Sequence, residues 1–155
     1  MDMHLTDILS QEMVWPTLSA RTKPEVVKEF AERMAAADPT LSAEVVAEVL
    51  MERERLGSTG IQDGIAIPHG KVPGLERIVI ACGLCPAGIE FDAHDGKPTK
   101  IFFVLLAPEF AAGLHLKALA RLSRLLKDKK FRDRLMSSKD AGEIYRAIAE
   151  GDEKN

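Results

Sequence analysis

Ile101-Phe102-Phe103-Val104-Leu105-Leu106 is apolar at every position. A strand with one wet face alternates; one without alternation is covered on both faces. The run therefore predicts a central strand with helices above and below it. Just upstream, Ile89-Glu90-Phe91-Asp92 alternates like a half-exposed strand, and Asp95-Gly96 is a hairpin turn signal that makes His94 a solvated turn residue. Ile78 to Cys82 has the composition of a second buried strand, entered through the Pro73-Gly74 turn. Ile65-Ala66-Ile67 is a third, short one, which Pro68 must stop because proline has no N–H to donate to a ladder.

Helical patterns flank this strand-rich centre. Thr22 and Glu25 have capping-box spacing, Pro24 sits in the first turn, and Val27, Phe30, Ala31 and Met34 form an apolar stripe that ends at Asp38-Pro39. Ser42 caps a second helix with the stripe Val45, Val46, Val49 and Leu50, and Gly57 terminates it. Beyond the central strand the period is helical again from His115, with Ala118, Leu119, Leu122, Leu125 and Leu126 on one face. A last helix carries Ile144, Ala147 and Ile148. The fold class expected is α/β (α+β): a three-layer α-β-α sandwich with a central mixed β-sheet and helices on both faces. Residues 1–150 form one domain and 151–155 a disordered polar tail.

Composition narrows the function. The 155 residues are 46% hydrophobic and 29% charged, a globular mixture large enough to bury a core without disulfide or metal staples. Lys+Arg 21 against Asp+Glu 24 gives a net charge of -3, which argues against a duplex nucleic-acid surface. No apolar run approaches the roughly 20 residues of a membrane helix, and Met1-Asp2-Met3-His4 does not open a secretion signal. With two cysteines only, a reducing cytoplasm is the expected compartment.

The chemistry concentrates in Arg53–Lys71, RERLGSTGIQDGIAIPHGK, where four glycines, two hydroxyls and a histidine surround one short strand. His69, between Pro68 and Gly70, is expected on a loop at a strand's end. Arg53 falls where the stripe of the second helix should be apolar. An inward arginine there wants an anion, or it pairs with Glu52, Glu54 or Glu90, or its head group snorkels to water. Ser58 and Thr59, bracketed by Gly57 and Gly60, either offer hydroxyls and N–H groups to an anion or simply turn the chain after the helix. The segment is not a Walker A loop, since Val72 stands where the Ser/Thr belongs.

His115 opens its helix on the apolar face. It is either a hydrogen-bonded core residue or a neutral partner for a negatively charged reacting group. Cys82-Gly83-Leu84-Cys85 falls at the end of an apolar strand, so small buried thiols are favoured over a redox pair. Spacing alone leaves a zinc site from His69, His94 and His115 open, but nothing supports it, no HExxH is present, and neither a metal nor another cofactor is expected. Lys117, Arg121 and Arg124 form a basic stripe, a wet face or a guide for an acidic partner.

Taken together, RERLGSTGIQDGIAIPHGK followed by GLHLKALARLSRLL resembles the IIA proteins of the phosphoenolpyruvate-dependent sugar phosphotransferase system, in their fructose/mannitol-type fold (PTS EIIA type-2). Within that family the chain is most similar to the nitrogen-regulatory branch, from Leu5-Thr6-Asp7-Ile8-Leu9 through FDAHDGKP to the final helix. The resemblance implies that His69 is phosphorylated and that His115 and Arg53 support the phosphoryl group, with Ser58, Thr59 and Gly60 in the loop beside it. It also implies a phosphohistidine donor on an HPr-like carrier (NPr), and regulated targets such as potassium transport or sensor-kinase components. Two other readings stay open: a sugar-specific IIA that passes phosphate to a IIB component, and a binding regulator that transfers nothing.

Overall fold

A computed structural model describes residues 3–154 and contains a five-stranded mixed sheet and five α-helices. Met1 and Asp2, part of the stretch read for a secretion signal, and Asn155, the last residue of the expected tail, lie outside the described residues. Two short 3₁₀ turns, Leu5–Asp7 and Gln11–Met13, lead into β1 (Val14–Trp15), α1 (Lys23–Ala37) and α2 (Ala43–Arg55). Then come β2 (Ile65–Ala66), β3 (His69–Val72), β4 (Val79–Ile89), β5 (Thr99–Pro108), α3 (Ala112–Leu126), α4 (Lys129–Ser137) and α5 (Ala141–Glu153).

The helix starts follow local hydrogen-bonding chemistry. Thr22 Oγ1 accepts from Glu25 N at 3.4 Å, and Ser42 Oγ accepts from Val45 N at 3.3 Å, so each hydroxyl satisfies an amide the helix itself leaves unpaired. Glu25 returns its carboxylate to Arg21 N at 2.9 Å, one residue earlier than a capping box places it.

β4 and β5 form the antiparallel centre, β1 lies parallel outside β4, and β2 and β3 lie parallel outside β5. Ile101 to Ala107 are all buried, as a strand covered twice must be. One face is set by α1 and α2. Gly83 sits opposite Phe102, whose ring lies 6.3 Å from Phe30 of α1, and a Cβ on Gly83 would come within 2.8 Å of Leu18 and Phe30. On the same face, opposite Leu106, a Cβ on Gly70 would stand 2.4 Å from Val49 of α2. The other face carries α3, with α4 packed on α3 and α5 on α4 and β1. The sandwich is three-layered as expected.

Four local expectations need correction. Ile89–Asp92 is not a separate strand: β4 runs through an irregularity between Leu84 and Ile89, and Glu90 to Pro98 form the turn into β5. The pair Cys82 and Cys85 thus lies inside β4, both thiols buried and free, and burial pushes the Cys82 thiol up. α4 was not foreseen, because this nine-residue helix shows only two buried apolar positions, Phe131 and Leu135, among charges. The expected tail is part of the fold: α5 continues to Glu153, where the buried Asp152 carboxylate accepts from Leu5 N at 2.7 Å and pairs with Arg121. Arg121 therefore leaves the basic stripe, on which Lys117 and Arg124 stay exposed.

Candidate functional site

His69 does not stand on a loop. β2 and β3 are one line broken by Ile67-Pro68, for Ile65 faces Ile101 and His69 faces Leu105 with the same 36-residue offset. Pro68 donates nothing, yet its carbonyl accepts from Leu105 N at 3.0 Å, so the ladder resumes without a slip and begins again at His69. Gly70 points to α2, so alternation sends the His69 side chain toward α3. There its ring meets that of His115, the fourth residue of α3, edge to face with centroids 5.5 Å apart and planes at 77°.

The polar contacts fix the chemical state of His69. Nδ1 lies 2.7 Å from the carbonyl oxygen of Ile67. A carbonyl only accepts, so Nδ1 donates and the lone pair of the neutral ring is on Nε2. Burial holds His69 below the usual histidine range, with Arg53 adding to the effect, while the Ile67 bond and the Glu54 carboxylate act against it. His115 is lowered too, by burial first and then by the neighbouring His69 and Lys71. Its Nε2 is buried and has no hydrogen-bond partner among the described residues. Two neutral imidazoles therefore share one site.

Arg53 is in the last turn of α2, half-buried, and its Nη1 donates to the Gly57 carbonyl at 2.9 Å. Among the described residues no carboxylate pairs with it, which removes Glu52, Glu54 and Glu90 as partners. A guanidinium carries five N–H donors, and the bond to Gly57 uses one of them, which leaves the fork able to take oxygens of an anion. The rings of His69 and His115 thus meet, and the Arg53 guanidinium acts electrostatically on His69.

The hydroxyls of Ser58 and Thr59 and the amides of Thr59 and Gly60, expected to face an anion, have partners within the protein. Ser58 Oγ donates to Phe91 O at 2.7 Å and accepts from Gly60 N at 3.0 Å. Thr59 is buried, with its amide at 3.1 Å from Glu54 Oε1 and its hydroxyl on Glu54 Oε2. These donors are used to build the loop, which the Gly60 carbonyl ties to His94 N at 3.2 Å. A zinc site of His69, His94 and His115 does not assemble, for no three metal-ligating side chains cluster among the described residues.

The family model described as "Phosphoenolpyruvate-dependent sugar phosphotransferase system, EIIA 2" matches residues 7–151. The chain belongs to this family. As an EIIA chain of type 2 it is 43% identical over 148 residues to a nitrogen regulatory protein of Bradyrhizobium diazoefficiens, covering 95% of each. A nitrogen regulatory protein of Escherichia coli is 33% identical over 151 residues, 96% of this chain and 91% of that one. The fructose-specific EIIABC component of Bacillus subtilis is 31% identical over 150 residues, 97% of this chain but 24% of that protein. Among solved structures, the IIA-Ntr protein of Neisseria meningitidis superposes with a TM-score of 0.86 at 33% identity, over 93% of this chain and 98% of that one. The E. coli mannitol IIA shares the fold at a TM-score of 0.75 and 20% identity, over 90% and 98%. This EIIA chain accordingly sits with the nitrogen-regulatory branch, a phosphocarrier branch of the transferase system.

One residue of the EIIA site was misjudged from sequence. Glu54 entered only as a possible partner for Arg53, whereas its carboxylate turns away, buried, to Thr59 and to Lys23 Nζ at 2.9 Å. The available signal was a glutamate next to the inward arginine, five residues ahead of a threonine in a glycine-flanked turn.

Proposed function

We propose that Nε2 of His69 accepts a phosphoryl group from a phosphohistidine on an HPr-like carrier (NPr), and that the two states of His69 engage regulated target proteins differently. The observation that carries this reading is the 2.7 Å bond from His69 Nδ1 to Ile67 O, which leaves Nε2 as the nucleophile beside His115 and an unpaired guanidinium. In the transfer, the Nε2 lone pair forms the new N–P bond while the donor's N–P bond breaks and its electron pair returns to the donor imidazole. One N–P bond replaces another, so no nucleotide is consumed. The reaction demands positioning and charge stabilisation more than covalent machinery.

Each neighbour has a part in that transfer. Arg53 takes equatorial phosphoryl oxygens. His115, its pKa lowered by burial, adds an imidazole whose Nε2 has no hydrogen-bond partner among the described residues. The positive charge that develops on His69 is shared through Nδ1–H with the Ile67 carbonyl. Among the described residues no helix is long and apolar enough to cross a membrane. Action in the cytoplasm, on carriers and targets that dock at the sheet edge, suits this geometry.

The test is to incubate the chain with phosphoenolpyruvate, enzyme I and the carrier and to assay acid-labile phosphate. Wild type gains it and His69→Ala does not; an unmodified wild type, or a modified His69→Ala, refutes the reading. Arg53→Ala and His115→Ala slow the transfer, and unchanged kinetics in both would remove them from the site. The similarity to a fructose-specific EIIABC component keeps one further outcome distinct: onward transfer to a IIB acceptor would assign a sugar-uptake role instead.

A further inference from the structure

A continuous line of hydrogen bonds joins the buried carboxylate of Glu54 to the imidazole of His69. Oε1 of Glu54 accepts from Thr59 N at 3.1 Å and from Lys23 Nζ at 2.9 Å, and Oε2 accepts from the Thr59 hydroxyl. The Thr59 carbonyl then accepts from Ile67 N at 3.1 Å, and the Ile67 carbonyl accepts from His69 Nδ1 at 2.7 Å. Ile67 occupies the break between β2 and β3, so its N–H and C=O are held by Thr59 and His69 and not by the β5 ladder.

We propose that Glu54 is a positioning residue for the phosphoryl-accepting imidazole. It fixes Thr59, Thr59 holds Ile67, and the Ile67 carbonyl keeps the proton on Nδ1 and the lone pair on Nε2. This inference rests on the reading of His69 as the phosphoryl acceptor. A carboxylate suits the place because it has acceptor sites for all three donors and no N–H of its own to turn against Lys23. Its carboxylate is buried and already occupied by Thr59 and Lys23, which makes it a support for the chemistry and not a ligand of the phosphoryl group.

Geometry and charge separate in variants. Glu54→Ala removes both, Glu54→Gln keeps an acceptor for Thr59 N but removes the negative charge, and Thr59→Val removes only the hydroxyl bond. Two-bond proton–nitrogen NMR of the imidazole reports which ring nitrogen of His69 is protonated and follows its titration. Wild type gives the Nδ1–H form. Glu54→Ala and Thr59→Val give a mixture of the two tautomers, while Thr59→Ser restores the wild-type form. Glu54→Gln keeps the tautomer and titrates at lower pH, because Glu54 acts to raise His69 against Arg53.

Phosphotransfer from the carrier slows roughly 10- to 100-fold in Glu54→Ala and Thr59→Val, the range expected when a reacting group loses its orientation. A wild-type tautomer and titration in Glu54→Ala and Thr59→Val overturn the proposal. Thr59→Val alone decides if Glu54→Ala does not fold. If wild type takes no phosphate while the tautomer still changes in the variants, the positioning holds and the acceptor reading falls. If wild type is phosphorylated and the spectra are identical, the reverse is true.

Discussion

Among the glycines, a methyl group added at Gly70 would make the closest approach to a neighbour. Its Cβ would stand 2.4 Å from Val49 Cγ1, and carbon atoms in contact rest about 3.5–4.0 Å apart, so Gly70→Ala overlaps by more than 1 Å. Val49 is β-branched and on a helix, where one χ1 rotamer dominates, so it cannot swing clear; the helix or the strand must move. Overpacking of this kind costs about 1–3 kcal/mol, against roughly 0.5–1 kcal/mol regained by removing a glycine from a strand. The expected net loss is about 1–2 kcal/mol, or a few degrees in Tm for a chain of this size.

Val49→Ala in the Gly70→Ala background makes room for the new methyl group. A double-mutant cycle followed by urea unfolding should show a favourable coupling of about 1 kcal/mol or more. Because Gly70 adjoins His69, phosphotransfer should fall in Gly70→Ala and recover in the double variant. Gly70→Ala as stable as wild type, or a cycle with no coupling, would refute the claimed contact of α2 with β3.

Two further outcomes follow from buried charge. Asp152→Asn leaves Arg121, itself mostly buried, without its counter-charge, and should destabilise the chain by roughly 3–5 kcal/mol in denaturant titration; a loss below about 1 kcal/mol would return 151–154 to the status of a tail. His69 and His115 are both lowered by burial, so the unfolded chain binds protons that the folded one refuses. Their stabilising contribution is full above the unfolded-state value near ~6.5 and is lost as pH falls below it, while phosphotransfer falls on the same acidic side as Nε2 is protonated. Stability that rises as the pH is lowered from 7 to 5.5 would contradict this. Arg53→Ala should move the His69 titration to higher pH, since the guanidinium charge helps to lower it.

What could be read from the sequence was what local chemistry determines. The caps at Thr22 and Ser42 and the run Ile101–Leu106 each depend on neighbours a few residues away or on burial of every side chain. A motif named Arg53, His69 and His115 together; in the structure the two histidine rings meet between β3 and α3, and Arg53 of α2 acts electrostatically on His69. What stayed hidden was set by distant partners. Pro68 ends donation but not the strand, because Leu105 on β5 finds its carbonyl. Gly151 to Glu153 looks like solvent-exposed chain until Leu5 and Arg121 claim Asp152. Ser58 and Thr59 have the residue types of an anion loop, yet Phe91 and Glu54 already take their hydroxyls.

The most direct measurement is to phosphorylate the chain through the carrier and to locate the phosphate by phosphorus NMR and alkaline-stable peptide mapping. The account expects a single acid-labile phosphate on Nε2 of His69, with Nδ1 still protonated against Ile67. Phosphate on Nδ1 of His69, on His115, or on no histidine would contradict it.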